Sequence, residues 1–210
     1  MTKICVSFLN IKDIEDFLSL HPEIQLIEVR MDMGQISDED LARIFSLPVE
    51  IVATCRPNDF MSDQQRLSLL EKAILAGASY VDVEIESDFI KDILNDAGSH
   101  NCKTIISHHN FEGTPSYKEL QDIISACLLY SPDIVKIASL VKNDNDMENL
   151  KRLYQDFHSI IAIGMGIKGV ETRIHACDWG APFTYAAANK NDPAAPGQID
   201  YDVMKILCNV

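Results

Sequence analysis

The apolar run IVKIAS, Ile134–Ser139, has the length and β-branched character of a buried strand, yet it carries Lys136 near its centre. A lysine is almost never fully buried without a partner, because removing its charge from water is costly. A neutral amine is a nucleophile toward a carbonyl carbon, and desolvation or a neighbouring cation enlarges the neutral fraction of a lysine. Lys136 is therefore a candidate Schiff-base residue; an ion pair with a core carboxylate would also explain it. One run earlier, ISHHNF sets His108 beside His109. Neighbours on a strand face opposite ways, so one of the two can share the lysine's site and perform general acid–base work. Adjacent histidines diverge too far to chelate a metal together, and no third ligand at suitable spacing accompanies them. Further charges alternate along two other runs, as Glu28, Arg30, Asp32 and as Asp82, Glu84, Glu86. Each trio shares one strand face, and with Val29, Met31, Val81, Val83 and Ile85 turned toward covering helices the charges would point inward.

Eight short runs supply strands to hold these residues. They are Lys3–Leu9, Leu26–Met31, Glu50–Cys55, Tyr80–Ile85, Lys103–His109, Ile134–Ser139, Ile160–Met165 and Phe183–Ala188. Helical spacing lies between them. One segment follows Ser37 or Asp38, a second runs from Ser62 to Gly77, a third follows Thr114–Pro115, and a fourth covers Asp146–His158. Weaker helices fit Asp13–Leu20, Asp88–Asp96, Val170–Cys177 and Tyr201–Cys208. Strand–helix alternation implies a parallel sheet covered by helices, and eight repeats fit a (β/α)₈ TIM barrel spanning residues 1–210 as a single domain. An open doubly wound sheet is the competing architecture, but the glycine-rich phosphate loop that usually follows an early strand is missing. Barrel interiors are normally filled with aliphatic layers, so this many inward charges near strand C-termini indicate a polar site.

Composition narrows the partners. The 210 residues carry a formal net charge of −14, which argues against a nucleic-acid backbone or an anionic membrane surface. A local cluster of arginines could still receive a small anion. The six cysteines form no CxxC pair and lie mostly inside apolar runs, as reduced core residues of a cytoplasmic protein would. The first ten residues lack the apolar core of a signal peptide, and no run is long enough to span a membrane.

In this order and spacing the motifs resemble type I 3-dehydroquinate dehydratase, the Schiff-base class of that enzyme, from about Lys3 to the C-terminus. The resemblance rests on EVRMD (28–32), TCR (54–56), VDVEI (81–85), SHHNFEGTP (107–115), VKIAS (135–139), GMGIKGVETR (164–173) and FTYAAANKNDPAAPGQI (183–199). It implies a (β/α)₈ barrel, although this chain starts too late to hold the extra N-terminal hairpin common in the family. It implies dehydration of 3-dehydroquinate to 3-dehydroshikimate, the third step of the shikimate pathway, by a homodimer without metal or diffusible cofactor. Lys136 would form the imine and His109 would move the protons. Arg173 would clamp the substrate carboxylate, while Glu28, Arg30 and Arg56 would hold ring hydroxyls. Gln198 would close a lid, Met165 and Tyr185 would line the pocket, and Asp82 would support the histidine.

Two positions depart from the family pattern. Phe60 stands where a glutamate that tunes the histidine is expected, with Asp59 as a possible substitute. Ala194 stands where the lid has a serine. Other readings of the same residues are a Schiff-base barrel of the class I aldolase type, a non-catalytic barrel that binds quinate or shikimate, and a structural homo-oligomer. The aldolase reading lacks a phosphate-binding glycine loop after strands seven and eight.

Overall fold

The computed structural model describes residues 2–189 and 193–210; Lys190, Asn191 and Asp192, inside the FTYAAANKNDPAAPGQI motif, lie outside the described residues. Eight strands form one parallel sheet: β1 Ile4–Phe8, β2 Leu26–Arg30, β3 Glu50–Thr54, β4 Tyr80–Glu84, β5 Lys103–Asn110, β6 Ile134–Leu140, β7 Ile160–Met165 and β8 Thr184–Ala187. Their order is β7-β6-β5-β4-β3-β2-β1-β8, so consecutive strands are neighbours and β8 returns to β1. This is a nearly closed TIM barrel. Among the described residues the β7–β8 seam has no hydrogen-bonded ladder. Side chains take over two N–H groups of β7: Tyr154 Oη accepts from Ala162 N at 2.8 Å, and Thr172 Oγ1 from Gly164 N at 2.7 Å. The seam therefore stays closed to foreign strands without a ladder.

The helices are α1 Ile14–Leu20, α2 Asp38–Phe45, α3 Asp63–Leu75, α4 Ile90–Ser99, α5 Tyr117–Leu128, α6 Asp144–Asp156, α7 Val170–Ile174, α8 Ala176–Trp179 and α9 Tyr201–Leu207. Serines begin three of them. Ser37, Ser62 and Ser116 each accept the backbone N–H three residues on, and at Ser62 and Ser116 a Gln65 or Glu119 side chain reaches back to complete a capping box. α6 starts two residues before the expected Asp146, because Asn143 caps it and Asp146 closes the box from inside. The expected helix Val170–Cys177 is two helices. Thr184 Oγ1 takes the Arg173 carbonyl at 2.7 Å, which removes that acceptor from the helical ladder. None of the described helices is long and apolar enough to cross a membrane.

Two apolar layers flank the sheet. Outward-facing side chains such as Val29, Val81, Val83 and Ile106 pack against the helices in the larger core. Inward-facing ones at the strand N-termini, among them Cys5, Leu26, Val52, Ile105 and Ile161, plug the lower barrel. One step up β1 to β6 the inward residues become polar: Ser7, Glu28, Thr54, Asp82, Ser107 and Lys136 are all buried, while β7 and β8 stay apolar with Ile163 and Tyr185. The plug gives the polar layer a dry, rigid floor.

Candidate active site

Above that layer the strand ends and their loops enclose a cavity of about 240 Å³, sized for a small polar molecule. Lys136 of β6 and His109 of β5 both line it. The register pairs Ser107 with Lys136 and His109 with Ala138, which puts the imidazole one inward position above the amine. Glu28, Arg30, Arg56, Met165, Arg173, Tyr185 and Gln198 complete the walls and roof, so the structure brings these sequence-selected residues together. Asp82 does not reach the cavity; it lies directly beneath.

Asp82 anchors the floor of the site. Its Oδ2 accepts from Lys136 Nζ at 2.9 Å and from Arg56 Nη2 at 2.5 Å, and its Oδ1 accepts from Ser107 Oγ at 2.6 Å. Burial would raise this carboxyl, but Arg56 and Lys136 outweigh it and hold the group far below the usual carboxylate range. The core ion pair weighed for Lys136 thus exists, and the same amine still faces the cavity, 4.5 Å from the Tyr185 ring centroid. Asp82 is shared among three donors, so Lys136 does not have it alone.

His109 is a neutral imidazole in this setting. Burial, and then the Arg56 charge, push it down to about 4, against the opposing pull of Glu84. Glu84 Oε1 lies 3.1 Å from His109 Nδ1, although the ring N–H is not aligned for a full hydrogen bond. His108 faces the other side of β5 and pairs with Glu86. Glu86 was expected to point inward with Asp82 and Glu84. It is exposed, because β4 ends at Glu84 and the alternation stops in the turn that follows. Phe60 is 95% exposed on the turn after β3, and Asp59 beside it is exposed and does not line the cavity. Glu84, not Asp59, is the carboxylate that stands at the histidine.

Arg173 is 2% exposed and has no carboxylate within 4 Å among the described residues; its Nε is sealed without a hydrogen-bond partner. Burial pulls the guanidinium down to about 10, with Glu28 acting the other way. Glu28 itself accepts from Ser7 Oγ at 2.6 Å and Thr54 Oγ1 at 3.0 Å. Arg30 grips Asp32 with two parallel bonds at 2.9 and 2.7 Å and donates to the Ala194 carbonyl at 3.1 Å. Asp32 reaches this position from a 3₁₀ turn, Met31–Met33, rather than from β2.

The roof is the segment 194–198. Gln198 Oε1 accepts from Ala194 N at 2.8 Å, and its Nε2 donates to Ser7 Oγ at 3.0 Å. Gly166 N donates to Pro196 O at 3.1 Å, tying the roof to the end of β7. Gly197 has φ +77° and a Cβ there would stand 2.6 Å from the Gly166 carbonyl oxygen, so only glycine fits. Ala194 lines the cavity with its methyl group and offers no hydroxyl.

Ser7, Thr54, Ser107 and Arg66, which hold the site carboxylates, were not singled out from the sequence. The signal for the first three was present: each lies two residues from another inward-facing strand position. Among the described residues no group of three or more His, Cys, Asp or Glu side chains is placed to hold a metal ion.

Comparison with known proteins places this barrel. The type I 3-dehydroquinase family model matches residues 4–209. The 3-dehydroquinate dehydratase of Methanocaldococcus jannaschii is 33% identical over 202 residues, covering 93% of this chain and 90% of that protein. The solved type I 3-dehydroquinate dehydratase of Clostridium difficile, with covalent modified comenic acid, superposes with a TM-score of 0.85 at 25% identity, covering 99% of this chain and 91% of that one. The Geobacillus kaustophilus 3-dehydroquinate dehydratase shares the fold, with a TM-score of 0.87 at 21% identity over 100% of this chain and 90% of that one. A barrel with this cavity and these relatives belongs to the type I 3-dehydroquinase family, the hydro-lyases that dehydrate 3-dehydroquinate in the shikimate pathway.

Proposed function

We propose that this chain performs that dehydration through an imine on Lys136, with His109 as the acid–base group and Arg173 as the clamp for the substrate carboxylate. The observation that carries the reading is the convergence on one cavity of a buried amine, a neutral imidazole and a buried guanidinium with no carboxylate partner among the described residues. Deprotonated Lys136 attacks the C3 ketone, and loss of water gives an iminium. The iminium withdraws electrons from C2, so His109 can remove a proton there. The resulting enamine expels the C1 hydroxyl, which leaves as water with the proton that His109 returns. Hydrolysis of the imine then releases 3-dehydroshikimate and restores the amine. The lysine supplies the electron sink, so the chemistry calls for no added cofactor.

Other side chains orient the ring. Arg173 suits a planar carboxylate because guanidinium can donate two parallel bonds to it. Glu28, Arg30 and Arg56, which line the cavity, would meet ring hydroxyls, Met165 and Tyr185 would give an apolar wall, and Gln198 would keep the roof down. Asp82 supports both the amine and Arg56 from below. In this reading residues 1–210 act as one catalytic domain and pair as a homodimer in the cytoplasm. Six free cysteines support a reducing compartment.

Borohydride added during turnover tests the nucleophile. Reduction makes the imine permanent, and peptide mass spectrometry should find the substrate-derived mass on Lys136. Label on Lys103, Lys142 or Lys168 instead would overturn the assignment.

A further inference from the structure

One buried line of charge leads from outside the barrel to the histidine. Arg66 lies on α3, in the helical layer, yet it is only 4% exposed. Its Nε and Nη2 both donate to the Cys55 carbonyl at 3.2 Å, and its Nη1 donates to Asp63 at 2.7 Å. Those contacts fix the guanidinium at the end of β3. From there Nη2 also reaches Glu84 Oε2 at 3.4 Å. The other oxygen, Oε1, lies 3.1 Å from His109 Nδ1 and 3.8 Å from Arg56 Nη1. Among the described residues Glu84 is the one carboxylate within 4 Å of the His109 ring nitrogens.

A neutral imidazole carries a single N–H, and the partner of one nitrogen decides which nitrogen holds it. A carboxylate at Nδ1 accepts a hydrogen bond and donates none, so it selects the Nδ1–H form. Nε2 is then left with a free lone pair. Glu84 can do this only while its carboxylate keeps its orientation, since a swing toward Arg56 would take Oε1 away from the ring. Arg66 on Oε2 opposes that swing. We propose that Glu84, braced by Arg66, is the positioning residue that holds His109 in the Nδ1–H tautomer with Nε2 bare toward the cavity.

The charges facing His109 come from three elements. They are Arg56 from the loop after β3, Asp82 and Glu84 from β4, and Lys136 from β6. The Phe111 ring stacks 6.2 Å away and contributes no charge. Two cations balance two carboxylates, so removing Glu84 leaves the imidazole facing a net positive set. The inference rests on the dehydration reading only for its purpose: a base for the C2 proton needs a bare nitrogen.

The test is nitrogen-15 NMR of the histidines in the full-length, substrate-free protein, because pyrrole-type and pyridine-type ring nitrogens have distinct shifts. His109→Gln identifies the resonance by its loss. Wild type should show a pyrrole-type Nδ1. Glu84→Leu, which removes the acceptor and keeps the bulk, should shift the ring toward Nε2–H and lower kcat by about tenfold or more with little change in KM. Arg66→Met should lower the Nδ1–H population and kcat in the same direction by a smaller factor. If Glu84→Leu fails to fold, the wild-type tautomer and Arg66→Met still decide the matter. An Nε2–H form in wild type, a tautomer unmoved by a folded Glu84→Leu, or a rise in KM at constant kcat would each overturn the assignment. An Nδ1–H histidine in a protein that turns over no 3-dehydroquinate would sink the dehydration mechanism and leave the brace standing.

Discussion

Replacing Arg173 with methionine should make the substrate-free protein more stable and nearly unable to use its substrate. Burial pulls this guanidinium from an ordinary value of 12.5 down to about 10. At about 1.4 kcal/mol per pKa unit, the folded state disfavours the charged form by about 3 kcal/mol relative to the unfolded chain. The sign follows from the two values. Below pH 10 the group is charged in both states, so the cost is fully present at neutral pH and fades only as the folded-state group deprotonates. Methionine keeps the unbranched stem and has no charge to desolvate. Imperfect packing takes back about 1 kcal/mol. The net gain of about 2 kcal/mol corresponds to a Tm increase of about 4–8 °C for a domain of this length. Under the proposed function the same change removes two charge-assisted bonds to the substrate carboxylate, each worth about 1.5–3 kcal/mol, so kcat/KM should fall by roughly 10²–10⁴. Calorimetry on the substrate-free proteins and steady-state kinetics with 3-dehydroquinate give both numbers. A Tm lowered by several degrees would refute the reasoning, since it would mean that Arg173 has a structural partner. An unchanged kcat/KM would put the carboxylate elsewhere in the cavity.

Two further outcomes follow from the same geometry. His109 is pushed down to about 4 and works as a base only when neutral, so kcat/KM should hold on acidification until about pH 5 and fall as pH drops through about 4. A pH profile whose acid limb lies near 6.5 would show that the histidine is not depressed. Gly197→Ala would drive a Cβ to within 2.6 Å of the Gly166 carbonyl at φ +77°, unseating the roof. KM should rise by about tenfold or more while the Tm changes by only a few degrees; unchanged kinetics would remove segment 194–198 from the binding site.

The strands were legible because short apolar or β-branched runs mark them, with period-two charges on β2 and β4; β8, TYAA, has the weakest such signal. Each expected strand matches the observed one to within one or two residues at either end. Helix starts were legible where a serine capped them, and less so at α6, where the cap is Asn143 and its partner Asp146 resembles a beginning. Site residues on strands could be read by the same alternation, which placed Glu28, Asp82 and Lys136 on inner faces. Alternation fails where the strand ends, and so Glu86 was misplaced. Loop geometry after β3 depends on the Asn58–Met61 turn, which no local pattern announces, and this is why Asp59 looked like a substitute for the residue at Phe60. The meeting of Arg66, Glu84 and His109 joins three elements of the chain and depends on how α3 settles against the sheet. Spacing along one element could not reveal it.

The chain carries −14 overall, so its long-range field repels the anion it must bind, and capture has to rest on how charge is arranged inside the cavity. Arg30 is matched by Asp32, while Arg56 and Lys136 share Asp82. Glu84 is met by Arg66, which leaves Glu28 and Arg173, opposite charges on the same cavity that do not pair. Neutral hydroxyls from Ser7 and Thr54 occupy Glu28, which satisfies the carboxylate without spending a cation on it. Ser7 is in turn fixed by Gln198 of the roof, so the roof and the restraint on Glu28 belong to one hydrogen-bonded chain. The fold therefore keeps an arginine buried and, among the described residues, without a carboxylate partner, against its own interest in stability. A cationic environment organised in advance gives electrostatic binding of an anion without later reorganisation. In the proposed function the carboxylate of the substrate completes the set.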